Sequence, residues 1–371
     1  MAVFSGYRLK QARELKRLTQ AELAAQIGVA QPTIARAEQG MLQLSDSLIE
    51  TIALGTGFPV GWFYRSSLLQ IPEGSLLLYR KKASLKSADR AFLLSLSQLA
   101  LVITEHLEKR FKRVPSTLPL LDDEVTFQEA AGITRSALGL DSHSPIANLL
   151  QRLENNGVVC IALPCKGLED FDAFSVRIDR RPFIFLNPYR SPDRIRLTVS
   201  HELDHLIRRN PMYGVLKDVE KESFRFGAEF MTPEEAIRQE LRRPVTLSSL
   251  AELKLRWGVS IAALVRRARQ LGLIEDHQYK YLNIKIRDLG WKVQEPGSNR
   301  LSPERPRALR KMFELAYGDD FKALAADLSA PVSMVEAILF AHAGRTDLPI
   351  KKAAPPPARR ANNVVVEFKK R

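Results

Sequence analysis

The sequence predicts an α+β chain, mostly α, with one small sheet. Three observations carry this. Apolar residues recur at three- and four-residue spacing through most of the 371 residues, in helix-length runs stopped by glycine or proline. Strand-like runs cluster in one region: Val158 to Leu163, then Phe174 to Ile178 and Pro182 to Leu186 as a hairpin around Asp179-Arg180-Arg181. An H-E-x-x-H motif, His201-Glu202-Leu-Asp-His205, sits inside one of the helical runs.

The length allows two or three domains. The net charge is +14, which favours a polyanionic partner such as DNA. Basic clusters stand at Arg80-Lys81-Lys82, at Lys109-Arg110 with Lys112-Arg113, and at the C-terminus; each reads equally as a solvated face. No apolar run reaches the roughly 18 to 20 residues of a membrane span. The first residues lack the features of a signal peptide, so the expected address is the cytoplasm, with no membrane partner. Cys160 and Cys165 fit a reducing compartment and match no zinc-knuckle spacing; they read as small residues on or beside a buried strand.

Residues 1–66 read as five short helices. Leu9 and Ala12 face inward on the first, and Leu18-Thr19-Gln20 opens the second. Gly28-Val29 makes a tight turn into a third, Gln31 to Gln39, with Pro32 tolerated in its first turn and Gly40 as its stop. Asp46 to Leu54 and Pro59 to Phe63 complete the bundle. Two helices about a short glycine turn form the helix-turn-helix pattern. The run Gln20-Ala-Glu-Leu-Ala-Ala-Gln-Ile-Gly-Val-Ala-Gln-Pro-Thr-Ile-Ala-Arg-Ala-Glu38-Gln-Gly40 closely resembles the lambda-repressor/Cro type, the XRE family. The resemblance implies an ion pair between Arg13 and Glu38, and a phosphate-clamping role for Gln20. The docking rule puts the start of the second helix of the motif against base edges, so Gln31, Thr33 and Arg36 are the candidate readers of double-stranded operator DNA. Specific binding by one small module implies a homodimer on paired half-sites.

Residues 67–119 form a connector. It has a strand-like start at Leu76 to Lys81, then an amphipathic helix from Ala88 to Phe111 that either dimerises or packs on the following domain. Pro115 to Pro119 marks a boundary.

Residues 120–240 contain helices Asp122 to Leu140 and Ser144 to Asn155, the three strand-like runs, and the H-E-x-x-H helix. His201 and His205, one turn apart, project from one face and can take adjacent corners of a zinc ion. Glu202 can reach a water on that zinc, whose pKa falls to about 7, and accept its proton. The bland alternative is a buried helix with two hydrogen-bonded core histidines. A third ligand is required, and Glu222 and Glu229, seven residues apart on the next helix, are both candidates. Tyr189 and Tyr213 are the only groups singled out to stabilise an oxyanion. The run Arg196-Leu-Thr-Val-Ser-His-Glu-Leu-Asp-His-Leu resembles the zinc helix of the ImmA/IrrE metallopeptidases, and Glu222 to Pro233 is similar to that family's next helix. Phe183-Ile-Phe-Leu-Asn187 matches its strand ending in asparagine. The resemblance implies a zincin-like domain and assigns the third ligand to Glu222. Asp204 stands where the family has a small residue, and Ser223-Phe224 replaces a common Ala-Asn pair.

Residues 241–299 read as two helices about Gly258-Val259, a second helix-turn-helix shape. A packing role is expected; the alternative is a second DNA contact through Arg266, Arg267 and Arg269. Residues 300–348 carry two or three further helices around Phe313, Phe321, Leu328 and Leu339. Residues 349–371 are a basic, proline- and alanine-rich tail in which Val364 to Phe368 could add a strand to a sheet edge.

The expected function is a DNA-binding transcriptional regulator with a zinc-dependent metallo-endopeptidase domain. His201, His205 and Glu222 would hold Zn(2+), and Glu202 would act as general base. The substrate would be a regulatory protein, of repressor or antitoxin type, cut in response to a signal. The alternatives are a regulator whose peptidase-like domain is a non-catalytic ligand sensor or dimerisation platform, and the antitoxin of a toxin pair.

Overall fold

The computed structural model describes residues 3–65, 71, 85–208 and 217–343. The strand-like run at Leu76, the basic cluster at Arg80 to Lys82, Tyr213 and the C-terminal tail lie outside them.

The N-terminal bundle comprises α1 (Gly6–Leu15), α2 (Gln20–Ile27), α3 (Gln31–Glu38) and α4 (Asp46–Thr56). A reciprocal capping box between Thr19 and Glu22 starts α2. Gly28 turns the chain into α3 at a φ of 73°, where a Cβ would be strained. The fifth element is a 3-10 turn, Val60–Tyr64, rather than an α-helix; it sets Trp62 and Phe63 fully into the core. Arg13 grips Glu38 with two bonds, 2.5 and 2.9 Å, tying α1 to α3.

The connector helix, α5 (Ser87–Glu108), is buried on more than one side. Leu93, Leu99, Ala100, Leu101, Ile103 and Leu107 are all fully enclosed. It has the length and apolarity of a membrane span, but most of it is packed inside the protein. It packs on the sheet of the following domain, as one expectation had it, and on the N-terminal bundle as well. It lies against α1, where Gln11 donates to the Ser95 carbonyl and Ser95 donates to Glu14. Arg181 reaches its end through bonds to Glu108.

The following domain begins with α6 (Phe127–Ala137) and α7 (Leu149–Asn155). Both are shorter than expected, because side-chain caps fix their starts: Thr126 accepts from Glu129 N, and Asn148 accepts from Gln151 N. Strands β1 (Val159–Ala162), β2 (Ala173–Ile178) and β3 (Arg181–Leu186) form a sheet of order β1-β3-β2. β1 runs parallel to β3, and β2 antiparallel to it. Asp179 and Arg180 both take positive φ, the geometry of a tight two-residue hairpin turn. Then come α8 (Pro192–Ile207), α9 (Lys217–Met231) and α10 (Glu234–Glu240).

Strand alternation splits the sheet between two cores. Cys160, Ala162, Ile184 and Leu186 face a cluster with α6, α8 and α9, which continues into α11 (Leu247–Trp257), α12 (Ile261–Gln270) and α13 (Asp276–Asp288). Ile161, Phe174, Phe183 and Phe185 face a second cluster, shared with the N-terminal bundle, α5, and the last helices α14 (Ala308–Tyr317), α15 (Phe321–Leu328) and α16 (Val332–Ala341). The first and last parts of the chain therefore share one core.

Candidate metal centre and DNA-reading helix

Helix α8 starts at Ser191-Pro192 and runs unbroken through the motif, with Ser200 inside it donating to the Arg196 carbonyl. The motif histidines converge: His201 Nε2 and His205 Nε2 lie 3.1 Å apart. Both imidazoles are largely enclosed, and burial lowers the His205 pKa, which favours the neutral ring that a metal requires.

The carboxylate that the structure brings to the two histidines is that of Glu220 rather than Glu222. Glu220 Oε2 lies 3.3 Å from His201 Nε2, and its Oε1 lies 3.8 Å from His205 Nε2. Two residues along a helix is a rotation of roughly 200°, so Glu222 sits on the far side of α9, paired with Arg225 at 2.9 Å. Glu229 is not brought to the histidines either. It is buried away from the histidines, accepting from Glu234 N at 2.8 Å and bonding Arg267. Glu220 stands outside the segment that matched the family's second helix, and only helical phase reveals it.

These three donors suit a metal. A tetrahedral zinc with bonds of about 2.1 Å separates its ligand atoms by about 3.4 Å. The separations here are 3.1, 3.3 and 3.8 Å. The donors border a cleft of about 810 Å³, lined by His201, Glu202, Glu220 and Phe224 on one side and by Asn283, Trp291 and Val293 on the other.

Glu202 is held in place. Ser175, on β2, donates to its Oε2 at 2.8 Å and to its backbone carbonyl at 3.1 Å. Arg177, on the same strand, donates to the Leu206 carbonyl at 2.8 and 2.6 Å, satisfying an orphan carbonyl at the end of α8. The departures from the family pattern answer one another. Asp204 is fully buried and accepts from Ser223 at 2.7 Å and from Arg208 at 3.0 Å, so it bonds α8 to α9. Phe224 lays its ring 4.3 Å from that of His201.

Residues 241–299 pack against this site. Arg267 is buried against Glu229 and the Thr232 carbonyl, and Arg269 pairs with Asp276 at 2.7 Å. Lys254 is fully buried and donates to Asp193 Oδ2 at 2.7 Å, Glu295 Oε2 at 2.8 Å and Ser298 Oγ at 2.8 Å. Glu295 also accepts from Ile261 N and Ala262 N, capping α12. This knot holds the Trp291 to Asn299 wall of the cleft against α8. Tyr189 is half exposed and does not line the cleft.

In the N-terminal bundle, Gln31 and Arg36 are exposed on α3 and Thr33 is half-buried. Gln31 Nε2 donates to Gln20 Oε1, and Gln20 Nε2 donates to Glu38, both at 2.8 Å. Gln31 is thus joined through Gln20 to the Arg13–Glu38 pair.

A helix-turn-helix family model matches residues 9–63, and the IrrE N-terminal-like domain model matches residues 157–269. The second match runs through α11 and nearly all of α12. No curated protein matches the chain. The chain thus carries a DNA-binding helix-turn-helix domain of the XRE type followed by an ImmA/IrrE-like peptidase domain.

Proposed function

We propose that the chain is a DNA-bound transcriptional regulator whose peptidase domain hydrolyses an amide bond in a regulatory protein when a signal is received. His201, His205 and Glu220 hold a zinc ion. When bound, zinc supplies Lewis acidity that activates water and polarises a carbonyl. Glu202 takes the proton from the attacking water and delivers it to the leaving amine. Ser175 keeps that carboxylate aimed into the cleft. Gln31, Thr33 and Arg36 read operator bases while Gln20 holds a phosphate, and two copies of the chain bind paired half-sites. DNA as the partner places the protein in the cytoplasm.

One observation carries the enzymatic part. A carboxylate that is no metal ligand is locked beside the donor set at the edge of an open cleft, and a structural zinc site has no use for it. The test is the Glu202→Gln variant of the full chain, zinc-loaded beside the wild type. New protein N-termini generated in cell extract should fall by at least about a hundredfold, with zinc content unchanged. Identical N-termini from both proteins would end the peptidase reading.

The sensor reading draws on a different feature. An apolar cavity of about 230 Å³ lies where α5, β1 and α14 meet, lined by Phe111, Val158, Leu309 and Met312. A ligand there would touch the helix that packs on the DNA-binding bundle. Mutual loss of ligand and operator affinity in a Met312→Trp variant would favour it.

A further inference from the structure

The zinc cleft has a side chamber. A cavity of about 220 Å³ opens from it, sharing Leu197, Phe224, Ser260, Ala262 and Asn283 with the cleft. Beyond these shared residues it is bounded by Ala228 and Met231 of α9, by Val259, and by Ala263 and Leu264 of α12. Its lining is mixed: Thr232, Ser260, Tyr279 and Asn283 stand among the apolar side chains, which form its buried part. Met231, Val259 and Leu264 are buried, and the one charged group on it, Arg266, is exposed. Phe224 lines both spaces: the residue is 42% exposed, and its ring lies tilted beside that of His201.

Small residues make the room. Ala228, Ala262 and Ala263 stand where larger side chains would close the space between α9 and α12. Both helices are anchored around it by the buried Arg267–Glu229 pair, so the chamber is not a gap that collapses at no cost. A preformed apolar recess beside a reacting centre gains about 0.8 kcal/mol for each methylene it removes from water.

We infer that this chamber is a specificity subsite: it takes a bulky apolar side chain, of the Leu, Met or Phe class, from the substrate residue next to the amide bond that is cut. The inference rests on the peptidase reading above and names its substrate class. Phe224 and Leu197 guide the side chain in, Met231 and Leu264 receive it, and Ala263 sets the depth. The exposed hydrophobic surface of Phe224 next to a metal site is thereby explained, since it is covered only when substrate is bound.

The test uses the zinc-loaded, full-length Glu202→Gln protein and two peptide hydroxamates that differ only at the side chain beside the chelating group, isobutyl against hydrogen. Binding is followed by calorimetry, so no turnover is needed. The isobutyl compound should bind at least about tenfold more tightly, the range expected for filling an apolar pocket. Adding Ala263→Leu should erase that difference, with zinc content and unfolding temperature as controls for folding. Equal affinity of both compounds for the Glu202→Gln protein overturns the subsite while leaving the zinc centre standing. Binding of neither compound, in protein that carries zinc, overturns the peptidase reading and the subsite with it.

Discussion

Replacing Lys254 with methionine retains most of the side-chain stem and removes the ammonium. The native group spends all three N–H donors, on Asp193 at 2.7 Å, Glu295 at 2.8 Å and Ser298 at 2.8 Å, in a site with no solvent exposure. Without it, two carboxylates are left facing each other in a buried site, and removing one partner of such a cluster costs about 3–5 kcal/mol. For a cooperative unit of 150–250 residues, each kcal/mol lowers Tm by about 2–4 °C, so the fall should be about 6–20 °C. Calorimetry and urea unfolding of wild type and variant measure it directly. The loss should be partly recovered in Lys254→Met/Glu295→Gln, because neutralising one carboxylate removes the repulsion. A single-variant loss below about 1 kcal/mol, or a double variant less stable than the single, would refute the argument that this knot holds the cleft wall.

Three further outcomes follow from the geometry. Glu220→Ala should lower zinc affinity at least about tenfold while Glu222→Ala leaves it within about twofold, as read by competition with a chelator; the reverse order would restore the sequence-based assignment. His342 is fully buried, donates from Nδ1 to the Ile338 carbonyl and accepts from Ala162 N at Nε2, and burial lowers its pKa to about 4. The unfolded chain takes up the proton first, so His342 costs stability as pH falls from about 6.5 to about 4; the slope of Tm against pH in that window should flatten in His342→Gln. Gln31→Ala with Arg36→Ala should weaken operator binding by about 1–3 kcal/mol per lost base contact at matched salt, while binding to unrelated DNA changes little.

Much of the molecule was legible because its signals are local. Thr19 and Glu22, Gly28 and Pro32 write the helix-turn-helix in caps and turns, and the spacing of His201 and His205 fixes a shared face without any tertiary information. The Asp179-Arg180 hairpin was visible in the same way. What failed depended on rotation and packing. The choice among Glu220, Glu222 and Glu229 turns on the phase of α9 against α8, set by the Ser223–Asp204 bond and by Gly227 lying against the His201 backbone. A motif match offers no such phase. Arg266, Arg267 and Arg269 look alike in sequence, and only burial separates the structural Arg267 from its exposed neighbours. The packing of α5 on the following domain was legible, but its contact with the last helices was not, because that partner lies some 200 positions away.

That distant partner bears on how the protein is made. Leu107 and Leu309 belong to one core but leave the ribosome roughly 200 residues apart, a delay of about 10–40 s at ordinary rates of synthesis. Until the last helices emerge, the far side of α5 and the outer face of the sheet, Phe183 and Phe185 included, have no cover. A chain terminated near Pro306 would keep the candidate metal centre and the helix-turn-helix, yet expose that apolar surface. Premature stop products of this gene should therefore aggregate or be degraded rather than persist as truncated operator binders.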